Sequence, residues 1–269
     1  MQKTWGNKMD FGINGKTALV LGGAGGLGSA IAQSLGREGC NVAIADINAT
    51  ELDAVAKRLS EFGHGVFSHV WDITDLRAID ANLAVITKHV GPIDILVNNT
   101  GGPSPSPISG IDQDVWALNF GKMVQPVIAI TDKVLASMRS KQWGRVITSA
   151  SSGVIAPIPN LGLSNSLRSA LVGWSKTLAR EVASHGITVN MIVPGRIATG
   201  RIQFLDAEKA RREGRSVEEV AAESVASIPT GRYGTPEEYA NVASFLASSQ
   251  ASYVTGSIVR VDGGLIPSI

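Results

Sequence analysis

The chain has 269 residues, 44% of them hydrophobic, with 30 glycines and a net charge of +1 from 24 basic and 23 acidic side chains. Length and composition suit one large α/β domain, and the balanced charge leaves no electrostatic footprint for nucleic acid or an anionic membrane. No apolar run is long enough to span a bilayer, Met1 to Gly12 lacks the apolar core of a signal peptide, and the lone Cys40 has no disulfide partner, so the expectation is a cytoplasmic protein with neither nucleic-acid nor membrane partner.

Residues 1–14 read as an N-terminal arm and residues 15–269 as the domain. Apolar runs predict strands at Thr17–Leu21, Asn41–Ala45, Val66–Val70, Ile93–Val97, Arg145–Ser149, Thr188–Ile192 and Ser257–Val261. Amphipathic segments predict helices at Leu27–Gly39, Ala49–Phe62, Leu76–His89, Asp112–Lys141, Leu163–His185 and Pro236–Ser248. Regular strand–helix alternation implies a doubly wound, seven-stranded parallel sheet covered on both faces. Residues 200–233 break that rhythm with a charged, helix-patterned insertion. A segment so placed reads as a substrate lid.

The first strand runs into Gly22-Gly23-Ala24-Gly25-Gly26-Leu27-Gly28 and then a helix. Gly22, Gly26 and Gly28 supply the backbone room that a pyrophosphate needs, and the helix beginning at Leu27 turns free N–H groups toward it. A glycine cluster alone is a weak signal; the strand before it and the helix after it give it meaning. Asp46 closes the second strand, 18 residues after Gly28, and Ile47 follows it. A carboxylate there accepts ribose hydroxyls and repels a 2′-phosphate, and Ile47 offers no compensating charge, so NAD is favoured over NADP.

Further motifs stand in order behind these. Asp72 and Ile73 follow the third strand, Asn98-Asn99-Thr100-Gly101 the fourth, and Pro194-Gly195-Arg196-Ile197-Ala198-Thr199 the sixth. Gly231–Glu238 and Val261-Asp262-Gly263-Gly264 close the series. Together they resemble the short-chain dehydrogenase/reductase family, in its β-ketoacyl-carrier-protein-reductase-like branch, over nearly the whole chain from Ile13 to Leu265. The resemblance implies a single Rossmann-type domain that interconverts a carbonyl and an alcohol on a small molecule with NAD. It assigns Asp72 to the adenine amino group, Asn98 and Gly101 to the adenosine side of the cofactor, and Ile197 and Thr199 to the nicotinamide carboxamide, in the turn opened by Pro194. It also implies a homotetramer. The stripe Leu167, Leu171, Trp174, Leu178 and Val182 and the segment Ala240–Leu246 offer surfaces for that assembly, although such a stripe is more often core.

The resemblance departs at the chemistry. The family uses a Tyr as proton donor or acceptor, a Lys four residues later, a Ser that holds the substrate oxygen, and an Asn that orders a water relay. Counting from Gly144, Ser151 falls on the Ser, Ser164 on the Tyr, Arg168 on the Lys and Met123 on the Asn. Ser151 keeps its role. Arg168 keeps a charge but cannot relay protons. Ser164 is poorly matched to general acid–base work, and Met123 cannot order water. Ser151, Ser164 and Arg168 are therefore the catalytic candidates, with Arg168 also reaching the ribose.

Three readings follow: an atypical NAD-dependent oxidoreductase, a non-catalytic NAD-binding protein, and a lyase like the halohydrin dehalogenases, which share the fold and use Ser, Tyr and Arg without a nucleotide. The absent Tyr and the intact glycine turn count against the third. None of the four histidines falls where it could replace the Tyr, and no cluster has metal-ligand spacing. Arg211, Arg212 and Arg215 read as a solvated helix face rather than an anion site. Gly101–Pro107 reads as an exposed wall of the substrate mouth.

Overall fold

The computed structural model describes residues 10–269. Seven strands form one parallel sheet in the order β3-β2-β1-β4-β5-β6-β7. They are β1 Thr17–Leu21, β2 Asn41–Asp46, β3 Val66–Val70, β4 Ile95–Asn99, β5 Gly144–Ser149, β6 Ile187–Pro194 and β7 Ile258–Val261. The helices are α1 Gly26–Arg37, α2 Ala49–Ser60, α3 Ile79–Val90, α4 Gln113–Met123, α5 Gln125–Lys141, α6 Gly162–Val182, α7 Gly200–Glu213, α8 Val217–Ala226 and α9 Pro236–Ala247. The expected Rossmann-type sheet is present, and the order reverses between β1 and β4. Clefts open beyond the strand ends at such a reversal.

Strand alternation builds two cores from one sheet. Val20, Val42, Ile44, Ile95, Val97, Ile147 and Ile192 face the layer that contains α1 and α9. Leu19, Leu21, Ala43, Leu96, Val146 and Val189 face the layer that contains α3, α5 and α6. Both faces are covered along the inner strands β1, β2, β4, β5 and β6, which explains why these strands read as near-continuous apolar runs.

Several boundaries move, each for a local reason. The helix expected over Asp112–Lys141 is two helices, because Pro126 has no N–H to give and stands at the start of α5. β4 begins at Ile95 rather than Ile93 and runs on through Asn99. The 200–233 insertion folds as α7 and α8. A capping box between Ser216 and Glu219 starts α8. Among the arm residues, 1–9 lie outside the described part. The remainder is docked, with Phe11 and Gly12 carbonyls accepting from Ser249 and Ile13 fully buried.

The apolar surfaces named from the sequence are mostly core, although Phe245 is exposed and Trp174 half-buried. Leu167, Leu171, Leu178 and Val182 are buried within the subunit, as are Ala240, Ala243 and Leu246. Among the described residues no helix is long and apolar enough to cross a membrane, and none of their His, Cys, Asp and Glu side chains gather into a metal-binding group.

Cys40 is fully buried and burial pushes its thiol up to about 12. It is a packing group, as its place before β2 implies. Iodoacetamide at pH 8 should label it only after denaturation; labelling of the native protein at the rate of a free thiol would show that Cys40 is accessible.

Candidate active site

A cavity of about 1670 Å³ lies across the carboxyl ends of the strands. Its far end is lined by Asp46, Ile47, Asp72 and Ile73, its middle by Gly22, Gly26, Leu27 and Gly101, and its near end by Ser151, Ser164 and Arg168. Pro194, Ile197 and Thr199 line it from the β6 side. The predicted positions thus converge on one cleft, with the exceptions of Asn98 and Gly28.

The glycine turn works in two ways. Gly22 has φ 60°, and a Cβ on it would lie 2.6 Å from the Asn99 carbonyl oxygen. Only glycine suits both conditions. Gly28 is buried inside the turn, where a Cβ would lie 2.1 Å from the Gly22 oxygen. Gly28 does not itself line the cavity, and its bare position lets α1 pack closely against the Gly22–Gly23 turn. Gly25 caps α1 without any side-chain hydrogen bond, so the first N–H groups of the helix face the cleft uncapped. These groups form a ready anion site.

Asp46 accepts hydrogen bonds from the Ala24 N–H and the Asn48 N–H, both at 3.2 Å. Ile47 is exposed beside it. The Asp72 carboxylate accepts from both the hydroxyl and the N–H of Thr74, and those bonds hold it below the usual carboxylate range.

Asn98 requires a correction. Because β4 extends to Asn99, the alternation places Asn98 on the α5 face, fully buried, where its amide donates to Thr131 Oγ1 at 3.0 Å. Asn99 takes the cleft side instead and donates to the Gly22 carbonyl at 3.2 Å. Ending the strand at Val97 hides that parity.

Ser151 opens a short 3-10 turn and its hydroxyl accepts from the Gly153 N–H at 3.1 Å. Ser164 and Arg168 sit one turn apart on α6 and share a face. Asn165 bonds the Ile158 backbone and so fixes the loop between Ser151 and α6. Arg168 is 7% exposed. Its Nη1 donates to the Ser149 carbonyl at 3.2 Å, and its Nη2 donates to the Thr100 and Gly101 carbonyls, both at 3.1 Å. The side chain therefore ties the end of β5 to the loop after β4. Burial lowers its pKa to about 10, so it stays a cation at neutral pH.

Met123 is buried with Leu163, Leu167 and Leu171, and it also borders the cavity. Residues 101–106 line the cavity, and Ser106 pairs with Asn160 and Gly162 there. Tyr239 carries no signal in the sequence because it lies far from the Ser164 region. Its hydroxyl meets Ser149 Oγ at 2.9 Å and the Ile192 carbonyl at 3.1 Å. Burial raises its pKa. Tyr239 braces β5 against β6 and is a poor proton donor. Tyr233 bonds Asp206, which also pairs with Arg196 at 2.6 Å, and this triad pins α7 to the β6 turn.

The comparisons agree with this architecture. Residues 22–266 match the family model described as enoyl-(acyl carrier protein) reductase. The chain is 34% identical to 3-oxoacyl-acyl-carrier-protein reductase of Escherichia coli K12, covering 94% of this chain and 98% of that protein. It belongs to the short-chain dehydrogenase/reductase family. Among solved structures, L-sorbose reductase of Gluconobacter frateurii with NADPH and L-sorbose superposes with TM-score 0.90 at 31% identity, covering 97% of this chain and all of that one. An NAD+-bound xylitol dehydrogenase superposes with TM-score 0.87 at 27% identity, covering 94% of this chain and 99% of that one. Short-chain dehydrogenases that bind either nicotinamide cofactor thus share this frame.

Proposed function

We propose that this chain is an atypical NAD-dependent oxidoreductase that interconverts a carbonyl and an alcohol on a small molecule. The supporting observation is the single cleft that runs from Asp46, through the uncapped end of α1, to Ser151, Ser164 and Arg168. A dinucleotide fits that order of groups. Gly22 leaves room for close backbone approach, and the N–H groups of Gly26 and Leu27 would receive the pyrophosphate. Asp46 would bind the ribose hydroxyls, Asp72 would face the adenine, and Ile197 and Thr199 would hold the carboxamide. The bound nicotinamide would supply or accept the hydride.

The chain's own residues then set the reacting oxygen. Ser151 and Ser164 hold it by hydrogen bonds. Arg168 lays a fixed positive charge beside it, which favours an alkoxide without donating a proton. Proton exchange passes to water, and the reaction is slow for its family. The three bonds that tie Arg168 to backbone carbonyls give it a structural task and favour the second reading, a non-catalytic NAD-binding protein. Single-turnover oxidation of an alcohol panel, followed by the nicotinamide absorbance, separates the two: reduced cofactor must accumulate if the chain is an enzyme.

The cofactor preference has its own test. NADH should bind more tightly than NADPH, because Asp46 would face the 2′ position and Ile47 carries no charge. Asp46→Ala should narrow the gap by about tenfold, on the order of 1.4 kcal/mol. Equal affinities in the unmodified protein would refute the preference.

The 200–233 segment is proposed as a lid over the near end of the cleft. A homotetramer remains the proposed assembly, with exposed Val115, Leu118 and Phe120 of α4 as available contacts.

A further inference from the structure

Six basic residues line the cleft, and two of them stand out. Arg196 pairs with Asp206, Lys209 with Glu223, and Arg212 with Glu213. Lys122 is exposed to water. Arg168 and Arg201 have no acidic partner among the described residues, although both line the cleft. Both heads approach Gly102: a Cβ there would lie 3.1 Å from Arg201 Nη2 and 3.8 Å from Arg168 Nη2. Arg201 is held over the mouth by its bond to the Pro103 carbonyl at 2.7 Å.

Two like charges near one backbone position, one of them nine-tenths buried, cost free energy unless an anion joins them. The proton of Arg168 is loosened mainly by burial and, to a lesser extent, by Arg201. Carbonyl dipoles take three of the five N–H donors of Arg168, leaving Nε–H and one Nη1 proton without an acceptor among the described residues. Arg145 shows what a merely structural buried arginine looks like. It stacks on Trp143 at 4.4 Å, bonds the Ser248, Gly144 and Gly186 carbonyls, and lies outside the cleft.

No acid of the cleft can supply the missing charge. Asp46 and Asp72 are committed to backbone N–H groups, and Glu213 is paired with Arg212 and Arg215. The pyrophosphate of a dinucleotide has its own cradle at the start of α1, whereas Arg201 leans on the Gly101–Pro107 wall of the mouth.

We infer that Arg168 and Arg201 together bind a carboxylate carried by the substrate, so that the reacting compound is an oxo or hydroxy acid rather than a neutral ketone or alcohol. This rests on the oxidoreductase reading. Arg201, with one N–H given to Pro103, keeps a planar fork that can bond both carboxylate oxygens, and Arg168 adds charge and its remaining single N–H donors.

Malonate and its neutral analogue malonamide are the probes, titrated calorimetrically into the full chain with and without saturating NADH. Malonate should bind at least tenfold more tightly than malonamide. Arg201→Gln should weaken malonate tenfold or more and leave NADH affinity within twofold, while Arg201→Lys should keep most of the malonate binding. Equal binding of the two probes would overturn the inference. So would an Arg201→Gln variant that loses NADH and malonate alike, because the charge would then serve the cofactor's phosphates. If NADH does not bind at all, the oxidoreductase reading fails, and the carboxylate site is still read by malonate on the cofactor-free protein.

Discussion

Gly28→Ala should lower the urea-unfolding free energy by about 3 kcal/mol, the upper end of the ~1–3 kcal/mol range for overpacking, and should abolish measurable NADH binding. A methyl at that position would stand 2.1 Å from the Gly22 oxygen and 2.9 Å from its carbonyl carbon. Both are backbone atoms in a turn that is itself fixed by Asn99. Neither atom can swing aside as a side chain could, so α1 must lift away from β1 and carry its uncapped N–H groups with it. Gly25→Ala is the informative control. Its Cβ would meet only the Gly22 oxygen at 3.4 Å, yet Gly25 lines the cleft. That variant should keep its stability and still lose cofactor affinity, since its methyl would crowd the path of the phosphates. If Gly28→Ala melts with the unmodified protein and binds NADH normally, the packing role is wrong.

The contrast between those two glycines marks what the sequence can and cannot reveal. The strand–turn–helix order made the first βα unit legible, and burial of both sheet faces left its mark in the strand composition. Which glycine touches a ligand and which only permits packing depends on a three-dimensional approach that spacing does not encode. Asn98 and Asn99 teach the same point on a finer scale. Adjacent asparagines in a strand point to opposite faces, so a strand end misjudged by two residues left the wrong asparagine facing the cleft. The apolar stripe of α6 was legible as a stripe but not as core or interface, because periodicity marks a face without saying what covers it. Arg201 carried no signal at all. Its importance comes from standing beside Arg168 across Gly102, between segments about 100 residues apart in the chain.

The replacement of Tyr by Ser and Lys by Arg sets the second large expectation: Ser164→Tyr with Arg168→Lys should raise turnover on a carbonyl substrate by about a hundredfold, the typical size of a general-acid contribution. Ser164 is 6% exposed, but it borders a cavity of about 1670 Å³, so a phenol can extend into open space rather than into the core. The introduced lysine would bring a compact ammonium one helical turn away, where a cation lowers the pKa of the neighbouring phenol. The exchange has a cost. One ammonium cannot reproduce the fork that now reaches the Ser149, Thr100 and Gly101 carbonyls, and the variant should lose about 1–3 kcal/mol of stability. Adding Met123→Asn, which would complete the family pattern, is a poorer choice. Met123 is packed among Leu163, Leu167 and Leu171, so an amide there would have to find partners in an apolar cluster or forfeit about 1–3 kcal/mol more. NADH affinity should stay within a few-fold in the double variant, because the glycine turn, Asp46, Asp72 and the Pro194–Thr199 turn are untouched. A double variant slower than the unmodified protein would mean that the lack of a general acid is not what limits turnover, and that Ser164 and Arg168 are matched to their reaction as they stand.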